Sequence, residues 1–171
     1  FPLNTKRLKN VLNIAAKKAG WGKKLPKGHG LGLSVHYSFY TYVASVVEVS
    51  VIDGKLKVHH IHTAVDCGTV VNKDTVTNQI EGAGIFGMSI ALYGKITAKN
   101  GAIEQSNFHD YKLIRMHETP NIDVTIIESD EVPTGIGEPG VPPIAPAIAN
   151  AIYNATGKRY RTFPLSENGL V

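Results

Sequence analysis

The 171-residue sequence predicts an α+β fold: mixed and antiparallel strand hairpins packed with about three helices. Three observations carry this. Asp53-Gly54 lies between two runs rich in Val, Tyr and Thr, and both central positions of such a turn tolerate positive φ. Apolar residues recur at helical spacing near both ends of the chain. Strands and helices do not alternate regularly, so no doubly wound parallel sheet is expected.

Leu8, Val11, Leu12, Ala15 and Ala19 form a helical stripe, which Asn4 or Thr5 can cap and Gly20 can stop. The loop 20–30, with Trp21 and Pro26, separates this helix from a candidate strand over 31–39. A strand over 42–52 and its hairpin partner over 55–66 follow. A second helix is predicted over 73–93 with Asn72 as cap. Its Gly82, Gly84 and Gly87 each cost about 1 kcal/mol relative to Ala, so close approach of another backbone or a ligand is expected there. Asn100-Gly101 marks a further hairpin leading to a strand near 103–107, and residues 122–128 alternate as another. The last helix is expected from about Pro143 to Thr156, with Ile144, Ile148 and Ile152 on one face and Gly157 at its end.

Composition narrows the function classes. Hydrophobic residues make up 43% and charged residues 19%, as in an ordinary globular protein, and no apolar run reaches the length of a membrane span. The lone Cys67 excludes an internal disulfide framework and any all-cysteine iron–sulfur site within these residues. The net charge of +4 is concentrated in the first 27 residues, from Lys6 and Arg7 to Lys27. This is read as the solvated face of a helix and its linker, with a basic nucleic-acid-binding module as the lesser alternative. A chain that begins at Phe1 leads us to expect a piece or processed product of something longer.

The segment Pro133-Thr134-Gly135-Ile136-Gly137-Glu138-Pro139-Gly140 is the most informative. Flanking glycines permit tight turns and close approach of a bulky ligand, and Pro139 keeps Glu138 out of helical geometry. The result is a stiff loop displaying one carboxylate, which suits a general base. It also suits a rigid connection whose Glu caps the next helix, and the segment alone does not choose between them. Gln79-Ile80-Glu81-Gly82 offers an amide followed by glycines, fit for a polar ligand or for helix–helix contact through small residues. His59, His60 and His62 do not predict a metal site. On a strand His60 and His62 share one face, His59 points to the other, and no matching carboxylate pattern sits nearby. Cys67 reads as a small core residue, and Gly28-His29-Gly30-Leu31-Gly32 precedes a strand, the wrong context for a phosphate-binding loop.

Taken together, Gln79-Ile80-Glu81-Gly82 and, about 60 residues later, Gly137-Glu138-Pro139 leading into an Ala/Ile helix resemble the C-terminal region of the large molybdopterin-binding subunit of the xanthine oxidase family. Tyr42 to Glu48, Val65-Asp66-Cys67-Gly68 and Asn72 fit the same order, and Lys24-Leu25-Pro26-Lys27-Gly28 is closer to the aldehyde oxidoreductase and isoquinoline 1-oxidoreductase β-subunit branch. The resemblance implies Glu138 as catalytic base toward a hydroxyl on molybdenum, with Gln79 and Gly137 at the cofactor. It implies hydroxylation of an aldehyde or N-heterocycle with water-derived oxygen and hydride transfer to the metal's sulfido group. The cofactor would be molybdenum–molybdopterin, as the cytosine dinucleotide in the bacterial branch. Electrons would leave through [2Fe–2S] clusters on a small partner subunit. Residues 1–28 would form a helix and linker, and residues 29–171 the lobe that carries the glutamate. Other cofactor-binding segments of that family are absent from these residues, so the chain alone is expected to be inactive and to need the rest of the large subunit. A non-catalytic scaffold or partner-docking lobe of the same fold is the main alternative.

Overall fold

The computed structural model describes residues 3–171. The order is α1 (Thr5–Ala19), β1 (His29–Ser38), β2 (Thr41–Ile52), β3 (Lys55–Asp66), α2 (Lys73–Leu92), β4 (Ala98–Lys99), β5 (Ala102–Ile103), β6 (Asn121–Ile126) and α3 (Ile144–Thr156). Short 3-10 turns occupy Met116–Glu118 and Leu165–Asn168. The main sheet runs β1-β2-β3-β6, with β1, β2 and β3 antiparallel in sequence and β6 parallel to β3. β4 and β5 form a separate two-residue ribbon, far shorter than the strand expected over 103–107, because the chain beyond Ile103 turns into loop.

Helix α1 begins where Asn4 accepts from the Lys6 and Arg7 backbone N–H groups and ends on left-handed Gly20. Its stripe of Val11, Ala15 and Ala19 packs on Leu31, Tyr42, Ala44, Val46 and Ala64, one face of the sheet. Helix α3 covers the other face with Ile144, Ile148 and Ile152, all fully buried against Val47, Val49 and Ile61. Strand β2 is therefore buried on both sides, which explains its nearly continuous apolar run.

Glycines set how closely α3 approaches. A Cβ on Gly32 would stand 2.0 Å from the Ala147 carbonyl oxygen, and one on Gly30 2.3 Å from that of Ala151. The 28–32 glycine run is thus a groove for a helix. From α3, Asn154 Oδ1 accepts from the Leu31 N–H at 3.2 Å and Asn150 Nδ2 donates to the Leu33 carbonyl at 3.1 Å. These contacts satisfy backbone groups of an edge strand that would otherwise remain open.

The α2 glycines divide by role. A Cβ at Gly87 would collide with Ile144 at 2.8 Å, and one at Gly84 would press on Ile122 at 3.3 Å, whereas Gly82 faces open space. Two of the three glycines therefore admit neighbouring protein.

Gly32→Ala should lower stability by about 1–3 kcal/mol through overpacking against α3. Gly82→Ala should raise it by about 1 kcal/mol through helix propensity alone. Denaturant midpoints of the two variants against the parent chain check both signs.

Candidate functional site

The loop that carries Glu138 is tied down along its length. The Thr69 N–H donates to the Glu131 carbonyl at 2.8 Å, the Thr134 N–H to the Cys67 carbonyl at 2.9 Å, and the Gly135 N–H to the Phe39 carbonyl at 3.1 Å. Buried Thr41 donates its hydroxyl to the Gly135 carbonyl at 2.6 Å. Having spent its one proton there, it accepts from the Thr134 hydroxyl, also at 2.6 Å. Two glycines make this path possible. Gly68 has φ +74° and lies so near the loop that a Cβ would stand 2.0 Å from the Val132 carbonyl oxygen. A Cβ on Gly140 would stand 2.8 Å from that of Ala83, which seats the loop on α2.

Pro139 and Gly140 are buried while Gly137 and Glu138 are exposed. The Val141 N–H closes a turn onto the Glu138 carbonyl at 2.8 Å. Helix α3 has Pro143 as its cap, no side-chain cap hydrogen bond and no acidic residue in its first turn. The helix-capping reading of Glu138 is therefore ruled out. Its carboxylate has no hydrogen-bond partner among the described residues, but its charge acts on His36 of β1.

Gln79, on the exposed side of α2, brings its Nε2 to 3.9 Å from the position a Gly137 Cβ would occupy. Gln79, Gly137 and Glu138 thus share one open edge, with His36 close by. His36 was not singled out from sequence, because only the packing of β1 beside this loop gives it a role. Burial pushes its imidazole below the ordinary histidine range, and the Glu138 charge pulls in the opposite direction.

A cleft of about 470 Å³ lies beside the 131–135 part of the same loop, lined also by Arg7, Tyr37 and Tyr42. Arg7 grips buried Asp66 through two of its three guanidinium nitrogens, Nε to Oδ2 at 2.8 Å and Nη2 to Oδ1 at 2.6 Å. This bond raises the Arg7 pKa above its ordinary value. Arg7 is therefore a structural tie between α1 and the end of β3, outside the solvated basic run in which its sequence position placed it. Lys23, from the same run, is paired with Glu48 at 2.8 Å. Cys67 is buried, and burial pushes its thiol pKa up, away from the reactive range.

The histidines depart from expectation. A bulge between Glu48 and Val49 shifts the β2–β3 register and leaves His59 without a register partner. Its ring bonds Ser50 Oγ at 2.8 Å and stacks on His29, on the same side of the sheet as Glu48 and His60. A carboxylate is also at hand: Asp123, the register partner of His62 in parallel β6.

Glu138→Gln removes the charge that raises the His36 pKa, so the His36 imidazole should titrate at still lower pH. Its ring resonances followed by NMR across the pH range check this. An unchanged midpoint would mean that the two groups do not interact.

Residues 7–120 match the family model described as the molybdopterin cofactor-binding domain. Over 160 residues, 91% of this chain and 20% of the relative, the sequence is 36% identical to the isoquinoline 1-oxidoreductase subunit beta of Brevundimonas diminuta. It is also 36% identical, over 91% of this chain and 21% of the relative, to the membrane-bound aldehyde dehydrogenase [pyrroloquinoline-quinone] of Gluconacetobacter polyoxogenes. In three dimensions 72% of the chain superposes on 14% of the aldehyde oxidoreductase from Desulfovibrio desulfuricans, with a TM-score of 0.62 and 28% identity. The chain spans about a fifth of the length of the curated relatives it matches. The match to the family model over two thirds of the sequence, together with an α+β fold shared with a solved aldehyde oxidoreductase, means that this chain belongs to the molybdopterin cofactor-binding domain family, that of the molybdenum-binding subunits of the xanthine oxidase family.

Proposed function

We infer that the chain is the part of a molybdenum hydroxylase large subunit that supplies the general base, Glu138. The observation that carries this reading is the meeting of Gln79, Gly137 and Glu138 on one exposed edge, where a carboxylate projects from a tied-down backbone without a hydrogen-bond partner. The residues present fit a pterin-bound molybdenum centre. Gln79 offers an amide able both to donate and to accept, Gly137 leaves the space a side chain would take, and the edge is open on the side away from α3. When bound, the cofactor supplies the two-electron acceptor and acidifies the water-derived oxygen that attacks the substrate.

Glu138 then takes the proton of the attacking oxygen at a carboxylate Oε. Buried Pro139 and Gly140 hold its backbone, so the point from which the carboxylate projects is set before substrate arrives. Gln79 orients the cofactor through its amide. The relatives include an isoquinoline oxidoreductase subunit and an aldehyde dehydrogenase, and an aldehyde or N-heterocycle is the substrate class proposed here. The aldehyde dehydrogenase is described with pyrroloquinoline-quinone; the molybdenum form is preferred because the matching family is that of a molybdopterin cofactor-binding domain. We assign the pterin as the cytosine dinucleotide form. The [2Fe–2S] clusters are assigned to a small partner subunit; with Cys67 as its one cysteine, and that buried, this chain does not itself hold one. The remainder of the large subunit completes the cofactor pocket.

In the intact subunit with its iron–sulfur partner, Glu138→Gln at matched molybdenum content should lower turnover of aldehydes or N-heterocycles by about 10²–10⁴-fold. Dye-reduction kinetics measure it, and undiminished turnover would make the carboxylate structural. The 171-residue chain purified alone should hold little or no molybdenum by metal analysis; a stoichiometric content would show that it needs nothing further to bind the cofactor.

A further inference from the structure

On the α1 side of the sheet, where Val46, the register partner of His62, also faces, His60 and His62 project from β3 and Asp123 from β6. Three features of the fold bring them together. His60 and His62 are two residues apart on one strand and so share a face. His62 and Asp123 are register partners in the parallel β3–β6 pair, which puts Asp123 on that same face. The two imidazoles stack face to face, centroids 4.0 Å apart and nearly parallel at 6°, so their ring edges lie side by side. Asp123 Oδ2 is 2.5 Å from His60 Nε2 and 3.2 Å from His62 Nδ1. One ligand atom from each residue lies within 4.8 Å of the other two.

We propose that His60, His62 and Asp123 form a binding site for a divalent zinc ion, separate from the Glu138 edge. Two neutral imidazoles and one carboxylate are ligands of the type and number that zinc takes when a fourth position is left to water. Ligands on a tetrahedral zinc at about 2.0–2.2 Å from the metal sit somewhat more than 3 Å from one another. The His62–Asp123 separation already has that value. The His60–Asp123 contact is a hydrogen bond, which metal binding would exchange for two coordinate bonds by a small opening of the pair. β6 is the edge strand of the sheet and Asp123 is 62% exposed, so the ion can enter without the fold opening. Lys23, whose charge acts on His62, is held by Glu48 at 2.8 Å, which reduces its repulsion of a metal. A bound ion would join β3 to β6, strands about 60 residues apart in sequence, and so would also stabilise the sheet.

The experiment titrates the full 171-residue chain with zinc against a chromophoric chelator. The parent is compared with His60→Asn, His62→Asn, Asp123→Asn and, as a histidine elsewhere on the surface, His109→Asn. One saturable zinc per chain is expected, with affinity reduced more than about tenfold in each of the first three variants, since even losing a supporting contact to a ligand costs about 10–100-fold. His109→Asn should bind like the parent. No saturable binding by the parent, or parent-like affinity in any of His60→Asn, His62→Asn or Asp123→Asn, overturns the proposal. Ring-nitrogen NMR of the unsubstituted chain gives an answer that does not depend on any variant folding. Zinc should shift the His60 and His62 rings together; shifts confined to other histidines, such as His29 and His59, overturn the ligand set.

Discussion

Strand β2 must be dry on both faces, and the rest of the molecule is arranged to meet that demand. From Thr41 to Val47 every residue is buried, and the strand lies between β1 and β3 with helices above and below. A strand so apolar cannot leave one side to solvent, because exposing even a few Val side chains would forfeit about 1.5–3 kcal/mol each. Helix α1 closes one face with small residues, and α3 closes the other with isoleucines. The Gly30–Gly32 groove lets α3 come near enough for its asparagines to serve the β1 backbone. Helix packing and edge protection are thus achieved by the same contact.

The loop bearing Glu138 takes its rigidity from this arrangement. It leaves the parallel strand β6, passes under the start of β2 and the end of β3, and enters α3. Its hydrogen bonds go to Phe39, Thr41, Cys67 and Thr69, residues at strand ends that the core already holds in place. The backbone of such a loop loses little freedom when a ligand arrives, so a group it carries starts from a fixed place. The stiffness is local, since Gly137 and Glu138 project from the buried turn into open space.

Charged groups that stand together in sequence are separated by the fold. Arg7 and Lys23 belong to one basic stretch, yet each is consumed by a carboxylate far along the chain, Asp66 and Glu48. What remains for solvent on α1 is a set of lysines opposite an apolar stripe, the ordinary outer face of an amphipathic helix. The histidines show the converse. The bulge turns His59 to the side of His29, while parallel pairing brings Asp123 to His62.

The sequence by itself determined the α+β class, the β2–β3 hairpin about Asp53-Gly54, and the three helices to within a residue or two of their ends. These depend on local periodicity, turn chemistry and capping, all carried by neighbouring residues. The ordered motifs around Gln79 and Glu138 were legible too, and they carried the family resemblance. Only the tertiary structure decided that Gln79 reaches Gly137, that Glu138 does not cap α3, and that Gly30 and Gly32 receive a helix. It alone showed which acid stands beside His60 and His62. Each of these joins segments tens of residues apart. Such contacts are set by strand register and by how closely two backbones can approach, and neither is encoded by the residue types on one side alone.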